Sequence, residues 1–169
     1  MRGRMRPFNQ TNPEPPMTIR LRFVYSDDPF SNAILLDTGG LYSHVEAVTP
    51  DGKYLGALSN GGVRARPADY DAGLFKRQLF VDLPADAAMT AKFYHYLGAV
   101  VGEPYDFGAI AGFVAHLDVH QKGRVICSAL QTLALRGCGW FASPLTALAH
   151  EISPRDLLLI ISGRVAIPN

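Results

Sequence analysis

The chain has 169 residues, 48% of them hydrophobic and 18% charged, with a formal net charge of +1. That balance describes one globular domain and excludes a disordered chain; it gives no electrostatic handle on nucleic acid, and no apolar run is long enough to span a membrane. Two cysteines, Cys127 and Cys138, are too few for a disulfide framework.

Residues 1–16 are basic, then rich in Pro and Asn, without the apolar centre of a signal peptide. They read as a flexible extension ahead of a single domain over 17–169, with a cytoplasmic or virion-associated location as the default. Residues 19–25 alternate, with Ile19, Leu21, Phe23 and Tyr25 on one face and Arg20 and Arg22 on the other, which predicts a strand. Asp28-Pro29 has the form of a helix cap and first turn, and Thr38-Gly39-Gly40 ends that short helix. A second strand follows over 42–48, with His44 in its middle and Glu46 and Val48 on the same face. Pro50-Asp51-Gly52 turns the chain into a third strand over 53–59, hairpin-paired with the second, and Asn60-Gly61-Gly62 turns it again into 63–66.

A further strand is predicted over 76–83. The clearest helix covers 86–101, where Met89, Phe93, Leu97, Val100 and Val101 repeat at helical spacing before Gly102 and Pro104. Residues 104–123 read as irregular. Ile126-Cys127 then opens a helix with Leu130, Leu133 and Ala134 on one stripe and Gly137 at its stop. Ser143-Pro144 predicts another helix to Glu151, and Ser153-Pro154 a last turn into a buried strand over 157–161. Strands gather early and helices late, so the fold class is α+β.

Chemistry concentrates on Cys127. A thiol at a helix start meets free N–H groups and the positive end of the dipole, which favour the thiolate, and the thiolate is the nucleophile. It needs a base. Among the five histidines, His95 reads as a surface residue and His150 as a cation late in its helix. His44 differs, because it stands on a rigid strand with Glu46 pointing the same way, and two such groups are buried only as a pair. The blander alternative is a satisfied core His–Glu pair beside a buried thiol. His116, Asp118 and His120, with Cys127, form an alternative zinc-binding set. Cys138 reads as a buried thiol, since a bridge to Cys127 would span a helix. No cofactor-binding motif is present.

Gly102-Glu-Pro104-Tyr105-Asp106-Phe107-Gly108, followed by Cys127-Ser128 at a helix start, resembles the cysteine half of the NlpC/P60 superfamily of papain-like thiol hydrolases. Here the histidine strand precedes the cysteine. That order is similar to the circularly permuted branch, which includes the YaeF/YiiX-type amidase-like and the lecithin:retinol acyltransferase-like proteins. The resemblance implies an antiparallel sheet packed on the cysteine helix, with Cys127 as nucleophile, His44 as base and Tyr105 near the oxyanion. It places the group that orients the base on the strand after the histidine strand, where only Ser59 and Asn60 are polar. Glu46 is chemically the better partner, since a carboxylate both orients an imidazole and stabilises its charge.

The implied activity is cleavage of an amide through a thioester. Cell-wall peptides are the implied substrate class, with lipid esters and acyl transfer the alternative for this branch. A non-catalytic binding or accessory module of phage origin, on the same scaffold, is a further expectation. The lack of a polar residue on the third strand favours it.

Overall fold

In the computed structural model, described over residues 18–105 and 126–168, the elements are strands β1 (Thr18–Ser26), β2 (His44–Val48), β3 (Tyr54–Leu58), β4 (Gly62–Arg66) and β5 (Phe75–Pro84), and helices α1 (Pro29–Thr38), α2 (Ala87–Ala99), α3 (Cys127–Gly137) and α4 (Pro154–Ser162). The expected N-terminal extension and the His116, Asp118 and His120 set lie outside the described residues.

The strands form one antiparallel sheet in the order β4-β3-β2-β1-β5. Its first face is apolar. Ile19, Leu21, Phe23, Val45, Ala47 and Val81 meet Phe93 and Leu97 of α2 and Leu130 and Ala134 of α3, all fully enclosed. Each such aliphatic or aromatic side chain contributes roughly 1.5–3 kcal/mol on leaving water. Helix α3 lies against β2 and β3, and α2 against β1 and α3. Gln131 ties α3 to the sheet, its Nε2 donating to the Leu55 carbonyl at 3.1 Å.

The second face is polar and also covered. Arg22 and Glu46 are register partners across β1 and β2, and both are buried with His44, Arg66 and Asp71. Arg22 lies on the face opposite Leu21 and Phe23, as the alternation predicts, and the turn over residues 67–74 covers it, so β1 is enclosed on both sides at that point while Arg20 stays exposed.

Three expectations are corrected. Residues 143–148 form no helix, and only a single 3-10 turn, Ala149–Glu151, stands there. The strand expected over 157–161 is helix α4. Ser153 caps it through the Asp156 N–H while Asp156 accepts from the Ser153 N–H, Pro154 fills its first turn, and Leu157 and Ile161, four apart, enter the core. A short run of Leu and Ile has no period of its own, and the cap decides. Val101 lies beyond α2 and is half exposed.

Candidate functional site

His44 opens β2 and is not mid-strand. Its neighbour Ser43 donates its N–H to the Val24 carbonyl at 3.0 Å, which fixes the chain as it enters the sheet. Cys127 is the first residue of α3, and Ile126 before it offers no capping side chain, so the first-turn N–H groups are left for an anion. The two residues, far apart in sequence, lie close enough for each to shift the other's proton affinity, and the backbone at Val45 and Ser128 also favours the Cys127 thiolate. Cys127 is 2% and His44 8% exposed.

Glu46 completes the line. Its Oε2 lies 3.4 Å from His44 Nε2, which leaves Nδ1 as the ring nitrogen for the sulfur. The reach between two residues of one strand is short enough because His44 sits at the strand's end. Ser59 and Asn60, the alternatives for this role, are exposed in the β3–β4 turn. At the β3 position beside Glu46 stands Gly56. A Cβ there would lie 2.8 Å from the Glu46 Cβ, so the missing side chain makes room for the carboxylate.

The carboxylate has further partners that sequence reasoning missed. Arg22 Nη1 donates to Glu46 Oε1 at 3.0 Å and also to Asp71 Oδ2, while its Nε and Nη2 donate to Gln78 Oε1 at 3.2 and 3.1 Å. Its guanidinium stacks 4.2 Å from the Tyr54 ring centre. Tyr70 donates its hydroxyl to Glu46 Oε2 at 3.0 Å. The available signal was electrostatic: a carboxylate facing into a sheet needs a cation, and Arg22 is the basic residue on the neighbouring strand's same face.

Burial opposes every charge here, and the partners outweigh it. For His44, desolvation lowers the pKa, but Cys127 and Glu46 lift it to about 10. For Cys127, desolvation raises the pKa, but His44 and the backbone at Val45 and Ser128 bring it below the ordinary thiol value. Glu46 follows the same pattern: burial raises it, while His44, Arg22 and Tyr70 hold it below the usual carboxylate range. The arrangement stabilises a thiolate–imidazolium pair backed by a carboxylate.

Tyr105 is buried and packs edge-on against Phe30 of α1, with ring centres 6.3 Å apart. The Gly102–Glu103 backbone before it pairs with β4, through Val63 N–H to the Glu103 carbonyl and Gly102 N–H to the Val63 carbonyl, each 2.8 Å. Only glycine fits at Gly62, where a Cβ would lie 2.1 Å from the Glu103 oxygen and φ is 66°. His95 is exposed. Cys127 and Cys138 are both free, and Cys138 is buried with its thiol on the Leu135 carbonyl at 3.3 Å. Among the described residues no three His, Cys, Asp or Glu side chains are grouped to hold a metal ion, and no helix is long and apolar enough to cross a membrane.

No protein-family model matches the chain, and no curated protein matches it in sequence. Among solved structures it is similar to the metalloprotein YiiX from Escherichia coli O157:H7, with a TM-score of 0.55 and 21% identity over 73% of this chain and 66% of that one. The chain thus spans just under two thirds of YiiX. The likeness is one of fold: an α+β domain with a five-stranded antiparallel sheet and helices on its apolar face.

Proposed function

We propose that the chain is a cysteine hydrolase or acyltransferase of the permuted NlpC/P60 kind. Cys127 is the nucleophile, His44 the base and general acid, and Glu46 the orienting carboxylate. The observation that carries this reading is the line Cys127–His44–Glu46, in which Cys127 and His44 favour each other's charged forms and His44 meets Glu46 at 3.4 Å, closed at its far end by Arg22. The thiolate attacks a carbonyl carbon, and the oxyanion that forms is met by the first-turn N–H groups of α3. His44 gives its proton to the leaving nitrogen or oxygen as the carbon–heteroatom bond breaks, and a thioester remains. Water, deprotonated by His44, or a second acceptor then releases the acyl group. Tyr105 stands in the proposal as the tyrosine near the oxyanion. A peptide amide, as in cell-wall peptides, is the first substrate class to assay, and a lipid ester the second.

The polar group missing from β3 no longer favours a non-catalytic module, because Glu46 takes that role from β2. YiiX is described as a metalloprotein, whereas among the described residues here no three His, Cys, Asp or Glu side chains are grouped to hold a metal ion. Alkylation by iodoacetamide tests the reading. At pH 6–7 Cys127 of the native protein reacts quickly, and the His44→Ala variant reacts slowly. Equal rates in both proteins remove the dyad and the activity with it.

A further inference from the structure

Glu46 is fully enclosed, and its own strand supplies only one of the partners of its carboxylate. Its oxygens are divided between His44 and Tyr70 on Oε2 and Arg22 on Oε1. The charged and titratable groups that face it are Arg22 from β1, His44 from β2, Arg66 from β4, and Tyr70 and Asp71 from the turn over residues 67–74, with Cys127 of α3 beyond His44.

That turn is a formed element. It is closed by Tyr70 N–H to the Pro67 carbonyl at 3.1 Å, Ala72 N–H to Asp69 at 3.1 Å and Leu74 N–H to Asp71 at 2.9 Å. It is clamped to the sheet at two points, Tyr70 on Glu46 and Asp71 on Arg22. It also stands between two cavities. One, of about 370 Å³, includes Tyr54, Asp71 and Gly73 in its wall. The other, of about 460 Å³, is walled by Leu58, Ser59, Arg66, Tyr70, Leu74 and Phe75. Leu58 ends β3 next to the β3–β4 turn, at the end of the sheet where β2 begins with His44. Tyr70 therefore belongs to two surroundings. The residue borders a cavity large enough for part of a substrate, and its hydroxyl touches the carboxylate.

We propose that Tyr70 is a positioning residue: its hydroxyl sets the Glu46 carboxylate against His44 while the same residue lines the larger cavity, so a group seated there and the imidazole are linked through one residue. This rests on the Cys127–His44–Glu46 reading above. Without the hydroxyl, Oε2 is free to turn toward Arg22, the imidazolium loses its partner, and the thiolate is stabilised less.

The test follows iodoacetamide alkylation at Cys127, read by peptide mass so that Cys138 is not counted, from pH 5 to pH 10. Native protein, Tyr70→Phe and Glu46→Gln are compared. Native Cys127 is expected to titrate well below the ~8.5 of a free thiol, and Glu46→Gln to move its midpoint up. Tyr70→Phe keeps the ring and is expected to move it up by about 0.5–1 unit, the worth of one hydrogen bond, so that alkylation at pH values below the native midpoint slows about three- to tenfold. The melting temperature of Tyr70→Phe should change little. Asp71→Asn, which frees the same turn from Arg22, is expected to shift the midpoint in the same direction and keeps the test decisive if Tyr70→Phe folds poorly. A Tyr70→Phe profile that superimposes on the native one, while Glu46→Gln moves, overturns the proposal and leaves the dyad standing. A native thiol that titrates near 8.5 overturns the dyad itself, and the proposal with it.

Discussion

Arg22→Met tests the polar face most directly. Arg22 is 5% exposed at its side chain, Glu46 0% and Asp71 4%, and the guanidinium bonds both carboxylates through a single nitrogen. Methionine fills much of the same space beside Tyr54 and Phe75 while removing the charge and its contacts with their ring faces. Removing one partner of a buried ion pair costs about 3–5 kcal/mol, because the remaining charge is left enclosed. Against a total stability of about 5–15 kcal/mol, that is a fifth or more of what holds the domain. With a urea slope of about 2 kcal/mol/M, the midpoint falls by about 2 M.

The pH dependence carries the sign. In the native protein Glu46 sits below its ordinary 4.5, so its contribution is present above that value and is lost as pH falls through the lower one. In the variant, burial acts on Glu46 with one fewer counter-charge and favours the neutral acid. The deficit relative to native protein is therefore largest at pH 7 and shrinks toward pH 4. A deficit under about 1 kcal/mol at pH 7, or one that is flat with pH, refutes the assignment of Arg22 as the counter-ion of the enclosed carboxylates.

Two further changes probe the same line. Gly56→Ala puts a methyl 2.8 Å from the Glu46 Cβ, so urea titration should show a loss of about 1–3 kcal/mol from overpacking together with slower alkylation of Cys127 at pH 6; a variant as stable and as reactive as native protein is the contrary result. His44→Ala should lower stability in a pH-dependent way. The His44 pKa is raised from 6.5 to about 10, so its contribution is full below 6.5 and lost as pH rises through about 10. The difference in urea midpoint between the two proteins should narrow between pH 8 and pH 10.5, and a constant difference contradicts the raised value.

Strong periodicity and local caps were legible in the sequence. β1 and α2 follow from alternation and helical spacing, and α1 from Asp28, whose carboxylate accepts the Phe30 and Ser31 N–H groups as a cap should. The β2–β3 hairpin follows from its turn residues. The Cys127–His44–Glu46 line was legible as a set of residue types, since a helix-start thiol, a strand histidine and a same-face glutamate each have a local reason to matter. What surrounds Glu46 was not legible. Tyr70 and Asp71 belong to a turn whose course depends on the sheet beneath it, and no local pattern states where a turn will fold back. Gly56 hid for a related reason: inside a strand pattern a glycine reads as a weakness, and only the packed structure shows the neighbour that needs its empty side. The stretch Leu157–Ile161 failed differently, because five apolar residues in a row fit either a strand or a helix and the deciding signal lay upstream at Ser153.

Because sulfur and imidazole belong to segments far apart along the chain, the thiol acquires its character only when α3 docks against β2 and β3. The Gln131 amide on the Leu55 carbonyl is part of that docking. A state in which α3 has lifted from the sheet holds a commonplace thiol, slow toward alkylating reagents in mild acid. The chemistry of one atom therefore gauges the integrity of the tertiary structure around it: a substitution that loosens α3 from the sheet is read as slower labelling of Cys127 in mild acid.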